Sequence, residues 1–229
     1  MKVFNFNLDI TPGKYKYNNT CFNKLIEKFS PQKISPYTVE FMDTDLEKAD
    51  AVVFKEANKL DFILGDLEKI EKRLFRAEAE SERLLLGRCQ QMLEKEEFLC
   101  DASFSKEEEV AIGVLQLATF KPCLGKVDIG DMNTLIGEII NKAGKILFFT
   151  AAKKELRAWD IKRGESVLEA AGRIHSDLKR GFIKAEIIPC GELDNFFNLA
   201  QARARGLIKT VDKDYIVQDN DLIEIKFNI

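Results

Sequence analysis

Apolar and polar positions change period several times along these 229 residues, and each change predicts an element. In residues 1–10, Val3, Phe4, Phe6, Leu8 and Ile10 form a nearly alternating run that reads as a strand, and Pro12-Gly13 then forces a turn. Phe22, Leu25, Ile26 and Phe29 fall at helical spacing over residues 18–29, before Ser30-Pro31. Residues 39–42 read as a short strand. Residues 51–54 read as another strand or as the start of the next helix.

From Leu60 the spacing becomes heptad-like. Leu60, Leu67 and Leu74 share one seam position, and Ile63, Ile70 and Ala77 share the other. Glu, Lys and Arg crowd the remaining positions, as in a coiled-coil arm. A second helix over residues 82–99 would present Leu85, Cys89, Met92 and Leu93. Together they predict an antiparallel helical hairpin, or else an amphipathic pair packed on a domain. Ser105 with Glu108 is a capping box that opens a helix through Phe120, ended by Pro122. Residues 123–128 are weakly strand-like, and residues 131–141 suggest one more helix.

The C-terminal third is the most regular part. Residues 146–150 and 156–161 read as strands, with a turn at Lys162-Arg163-Gly164. Ser166 with Glu169 reads as a second capping box, and Ala170, Ala171, Ile174 and Leu178 give one helix over 166–178 an apolar face. Residues 182–188 resume as a strand, a helix follows at 193–205 before Gly206, and two short strands end the sequence. In the last, Ile223, Ile225, Phe227 and Ile229 alternate with polar residues.

Composition narrows the class. Hydrophobic residues at 45% exclude a disordered chain, and a net charge of −3 argues against a generic polyanion binder. Cys21, Cys89, Cys100, Cys123 and Cys190 have no metal-ligand or redox spacing, so buried free thiols in a reducing cytosol are expected. The first residues are too short and polar a run for a signal peptide. No apolar stretch approaches the roughly 18 residues of a membrane span. A cytoplasmic protein with no membrane association is predicted.

Several strings carry a family resemblance: R-A-W at 157–159, K-R-G at 162–164, A-A-G-x-I-H at 170–175, R-G-F-I-x-A-E at 180–186 and D-Y-I-V-x-D-x-D at 214–221. In this order they strongly resemble the TGS region of the YchF-type, Obg-like ATPases, a branch of the P-loop translation-factor NTPases. The resemblance is looser, in segments, before residue 146. It implies an α+β architecture in three parts. Residues 1–58 and 106–145 would be the remnant of an α/β nucleotide-binding domain. Residues 59–105 would be a coiled-coil helical hairpin inserted into it, and residues 146–229 a ubiquitin-like β-grasp (TGS-like) domain.

The nucleotide site of that family is what the sequence lacks. G-x-x-x-x-G-K-[ST], whose backbone wraps phosphates and whose hydroxyl holds Mg²⁺, is not found. Pro12-Gly13-Lys14-Tyr15 has a lone Gly-Lys and reads as a turn. The chain is therefore expected to start after the phosphate loop of its relatives. Residues 34–45 resemble the segment leading to D-x-x-G, with Asp43 as the aspartate but Leu46 in place of the glycine. Lys121-Pro122 resembles the K-P before the base-reading N-x-x-E, where Asp128 and Asp131 replace the amide and the glutamate. An aspartate cannot both donate to and accept from a base edge. No catalytic constellation, cofactor or metal site is expected, and the reading is a non-hydrolysing binder. Residual ATP or GTP binding, perhaps completed by another chain, is the alternative.

Candidate contacts are the basic residues Arg157, Lys162, Arg163, Arg173, Lys179, Arg180 and Lys184, with Arg203, Arg205 and Lys209 following. On one face they would meet an RNA backbone; spread out, they are an ordinary charged surface balanced by Glu165, Glu169, Asp177 and Glu186. TGS modules occur in RNA-binding and translation-related proteins, so RNA or the ribosome is the partner the resemblance implies. The hairpin would hold a protein partner. His175, the single histidine, is either structural or part of that contact. Trp159 is either core or a stacking platform.

Overall fold

A computed structural model describes every residue except Ala152, Lys153 and Ile229. Its strands and α-helices, in chain order, are β1 (Lys2–Phe6), β2 (Gly13–Lys16), α1 (Thr20–Phe29), β3 (Lys33–Ser35), β4 (Thr38–Met42), β5 (Ala51–Lys55), α2 (Lys59–Leu74), α3 (Glu80–Glu94), α4 (Lys106–Gly113), β6 (Cys123–Lys126) and α5 (Met132–Lys142). These are followed by β7 (Lys145–Ala151), β8 (Glu155–Lys162), α6 (Val167–Ile174), α7 (Ser176–Arg180), β9 (Phe182–Ile188), α8 (Leu199–Ala204), β10 (Lys209–Val211) and β11 (Asp221–Phe227). The chain divides into two compact units: Met1–Tyr15 with Val39–Ala143, and Lys16–Thr38 with Gly144–Ile229.

The first unit is built on a five-stranded sheet in the order β2-β4-β1-β5-β6. β1 runs parallel to β4 and to β5, and β5 runs parallel to β6. All four carboxyl ends therefore open on one edge. Val3, Val39, Phe41 and the whole of Ala51–Phe54 are buried, as strands covered on both faces require. One cluster gathers Val52, Phe54, Phe62, Ala118 and Cys123, with the Phe98 ring edge-on to Phe54 at 5.4 Å.

α2 and α3 run antiparallel. Arg73 at the end of α2 meets Glu82 near the start of α3 at 2.6 Å, and Lys59 meets Glu96 at 3.3 Å. Ile63, Ile70, Ala77, Leu86, Cys89 and Leu93 are buried between them, and Leu99, Ile112 and Leu117 join the same cluster. The heptad seam is only half used. Leu67 and Leu74 are partly buried, but Leu60 is 56% exposed, because the buried face of α2 runs through Phe62, Ile63, Asp66 and Ile70.

The Ser105 capping box forms with both of its bonds. The helix it opens is shorter than predicted: α4 ends at Gly113, Gln116 turns left-handed at φ +51°, and Ala118–Phe120 is a 3-10 turn. A buried carboxylate dictates that exit. Asp66 accepts the N–H groups of Ala118 and Thr119 and the Thr119 hydroxyl, which a continuous helix would not present together.

The second unit holds a six-stranded mixed sheet in the order β10-β9-β11-β7-β8-β3. β7 pairs antiparallel with β8, β9 with β10 and β11, while β11 runs parallel to β7 and β3 to β8. Val167 and Ala170 of α6 close one face over Ile146, Phe148, Ile161, Ala185, Ile187 and Ile223. On α1, Phe22 packs on Phe149 at 5.3 Å between ring centroids.

Four expectations change here. The single helix over 166–178 is two helices, because His175 is extended (φ −163°, ψ 141°) and its Nδ1 accepts the N–H of Asp177. Ser166 stands at the head of α6 but its side chain makes no capping bond, and Glu169 pairs with Lys179. The helix over 193–205 is a 3-10 segment at Cys190–Asn195 followed by the short α8, which Gly206 closes at φ +68°. The alternation in β11 is confined to Ile223 and Ile225, which join the α6 cluster; Phe227 is exposed, and Ile229 lies outside the described residues.

The cysteines also differ from expectation. Cys21 of α1 is disulfide-bonded to Cys190, while Cys89, Cys100 and Cys123 are free. No local spacing marks a bond that spans 169 residues.

Candidate functional site

The carboxyl edge of a parallel sheet is where ligands of such folds bind. Four segments meet that edge: residues 7–12 after β1, Asp43 after β4, Glu56 after β5 and residues 127–131 after β6. The turn after β1 is tied inward. Asn5 is buried, and its Nδ2 donates to the carbonyls of Leu8 and Ile10 at 2.9 and 3.2 Å, while the Tyr15 hydroxyl donates to Thr11 O at 2.8 Å. The chain then enters β2 directly, so no helix N-terminus follows β1.

Asp43 is exposed. Leu46 is partly buried against the cluster that holds Val52, Phe54 and Cys123 and begins a 3-10 turn, Leu46–Lys48. Its neighbour Asp45 is left-handed at φ +57° and bonds Lys48, which holds its carboxyl below the usual range. Lys121 donates to Glu47 O and Ala49 O, fixing the same turn from the Lys-Pro side, and burial lowers its ammonium. The position the family resemblance assigns to a phosphate-facing glycine is thus occupied by a packed leucine.

Asp128 is exposed at the rim of a hollow of about 290 Å³ lined by residues 126–131, Thr134, Leu135 and Glu138. Asp131 is the N-cap of α5 and accepts from the N–H and hydroxyl of Thr134, both at 2.8 Å. Those bonds hold its carboxyl low. Asp131 is therefore engaged in its own helix. Among the described residues, no group of three or more His, Cys, Asp or Glu side chains stands where it could hold a metal ion.

The basic candidates lie in the second unit and separate into two kinds. Arg173 meets Asp160 at 2.5 Å, Lys179 meets Glu169 at 2.8 Å and Arg180 meets Asp177 at 3.0 Å. Arg203 is paired with Glu186, and Arg205 donates to Asn195 O. Arg157 instead lies 4.1 Å above the Trp159 ring, whose Nε1 donates to Thr150. Trp159 also contributes to the α6 cluster, so it is chiefly a core side chain with one covered face. Lys162, Arg163 and Lys209 are exposed, and Lys184 sits directly across from Lys226 on β11. His175 is exposed beside Asp177.

Sequence reasoning missed Asp160, the centre of the basic cluster's pairing. It is buried and takes bonds from Lys145 at 2.7 Å and from Arg173. Burial alone would raise its carboxyl, but these two cations outweigh it and hold it at about 2. A signal existed: Asp160 shares strand parity with Leu156 and Ala158, and an acid at a buried position needs partners.

Residues 146–228 match the family model YchF-GTPase_C, described as a protein of unknown function. The ribosome-binding ATPase YchF of Mycoplasma genitalium is 35% identical over 127 residues, covering 56% of this chain and 35% of that protein. The match thus spans about a third of that relative's length. The protein of the same name from Bacillus subtilis is 25% identical over 80% of this chain and 68% of its own. Obg-like ATPase 1 of Caenorhabditis elegans is 43% identical over 35% of this chain and 20% of its own. The structure of the Schizosaccharomyces pombe YchF GTPase superposes with a TM-score of 0.79 at 16% identity, covering 98% of this chain and 97% of that one. The chain is related to the YchF ATPases and shares their fold. No helix among the described residues is long and apolar enough to cross a membrane.

Proposed function

We propose that this chain is a non-hydrolysing relative of the YchF ATPases that binds RNA or the ribosome in the cytoplasm. The observation that carries the reading is the turn after β1. A phosphate loop needs a strand, a glycine-rich turn of free N–H groups and a helix N-terminus. Here Asn5 fastens the turn through its carbonyls and the chain passes into another strand. Leu46 in place of glycine and Asp131 committed to a helix cap support the same reading.

The partner class follows from the C-terminal unit. A hairpin β7–β8, the helix α6 and then β9, β10 and β11, with β11 placed parallel beside β7, is the connectivity of a ubiquitin-like grasp and supports the TGS-like assignment. Relatives of this chain are named for ribosome binding. Among the described residues Lys162 and Lys184 form no ion pair and Arg157 lies over the Trp159 ring, and a phosphate backbone would rest on these cations. Residual ATP or GTP binding is the second reading, favoured by Asp43 and Asp128 standing exposed at the same sheet edge and by relatives named as ATPases.

Titration with labelled ATP and GTP in the presence of Mg²⁺ separates the two. Micromolar binding or turnover by the isolated chain would sink the first reading. Pulldown from extract with and without ribonuclease tests the partner, with loss of bound ribosomal components after digestion expected. Retention of the same proteins without RNA would place recognition on protein.

A further inference from the structure

Residues 78–116 carry ten carboxylates against four cations, in a chain whose net charge is only −3. Within this acidic stretch, α3 and α4 enclose an open groove of about 710 Å³. Leu84, Leu85, Ala111, Val114 and Leu115 supply its apolar lining. Leu84 is 67% exposed and Val114 is 77% exposed. Single exposed apolar side chains are ordinary, but a set of them on two helices around one hollow marks a contact surface.

The charges at the groove are arranged as well. Arg73 is taken by Glu82 and Arg88 by Glu108. Glu80 stands one turn before Leu84, and Glu107 lines the groove one turn before Ala111. Among the described residues no cation pairs with Glu80 or Glu107. The surface is therefore an apolar trough with a carboxylate that meets no cation at the head of each wall, Glu107 being held by its own backbone N–H and by Ser105. Such a rim repels a nucleic-acid backbone and attracts Lys and Arg.

We infer that this groove docks a basic amphipathic helix of a protein partner. That helix sets apolar side chains at i, i+4 and i+7 against Leu84, Ala111 and Val114, and turns Lys or Arg toward Glu80 and Glu107. Two helices forming a trough leave room for a third along their length. The inference concerns the first unit alone and does not depend on RNA contact by the second or on nucleotide binding.

The test is fluorescence anisotropy of the full chain with a labelled Leu/Lys amphipathic peptide of roughly 14 residues, about 21 Å as a helix. Saturable binding is expected, weakened at least about tenfold by Leu84→Glu or Val114→Glu. The Glu80→Lys, Glu107→Lys double variant should weaken it about fivefold and flatten its salt dependence. Unchanged circular dichroism and melting temperature show that these exposed positions leave the fold intact, and Val114→Ser is the milder variant should Val114→Glu unfold. No binding, or equal binding of a scrambled peptide of the same composition, would overturn the inference. So would concentration-dependent self-association abolished by Val114→Glu, which would assign the groove to a second copy of the chain.

Discussion

The carboxylate of Asp66 accepts both the backbone N–H and the hydroxyl of Thr119 at 2.7 Å, across 53 residues of sequence. It takes the N–H of Ala118 at 3.0 Å as well, and the residue is 1% exposed. One acid on α2 thus serves as the terminus for a 3-10 turn that leads into β6. Asp66→Ala leaves three donors without an acceptor and is expected to cost about 3 kcal/mol, read from the urea midpoint. Asp66→Asn puts an amide donor against those N–H groups and should recover little of the loss. Hydrogen exchange at Ala118 and Thr119 should accelerate in both variants. Unchanged protection there would mean the turn is held by something else.

Asp160 predicts an acid-sensitive step in the second unit. Its carboxyl lies at about 2 when folded, below the free value of 3.8. A depressed carboxylate stabilises the fold fully above about pH 4 and loses that contribution as pH falls through its folded value. The contribution at neutral pH is about 2 kcal/mol. Asp160→Asn should remove the acid-limb slope between roughly pH 4 and 2 and leave Lys145 and Arg173 without their shared acid. A variant with wild-type stability at both pH 7 and pH 3 would contradict this account.

The Cys21–Cys190 bond closes a loop of 169 residues, so in the chain-entropy view it contributes about 5 kcal/mol. Cys21→Ser should lower the melting temperature, and dithiothreitol should lower that of the wild type but not of the variant. Peptide mapping without reduction should recover the two cysteines linked. Alkylation of all five thiols in the native, unreduced protein would exclude the bond.

Two identical S-x-x-E strings should respond oppositely to mutation. Ser105→Ala breaks a formed capping box and should cost about 1 kcal/mol. Ser166→Ala removes a hydroxyl that makes no capping bond, and its effect should be negligible. Equal losses at both positions would show that the string itself decides the outcome.

Legibility followed the range of the interaction. β9 was readable over Phe182–Ile188 because alternation is a local property, and the Ser105 box was readable because both of its bonds lie within four residues. The break at His175 was also local, but it came from a ring nitrogen competing for a backbone N–H, which apolar spacing does not report. Whether a basic residue is free was not legible at all. Arg173 depends on Asp160 across a strand-helix connection, and Lys179 takes the glutamate that Ser166 was expected to share. That the given residues hold no G-x-x-x-x-G-K-[ST] string was visible directly, but the fastening of the turn by Asn5 was visible only once β1 and β2 were placed.

The order of strands in the second sheet has a consequence for biosynthesis. β11 is translated after every other strand of that sheet, yet it is seated between β9 and β7. Until it leaves the ribosome the nascent unit has two half-sheets, and Cys21 waits for a Cys190 made 169 residues later. A premature stop ahead of Asp221 would therefore split this sheet down its middle rather than trim its margin, exposing two raw strand edges to aggregation.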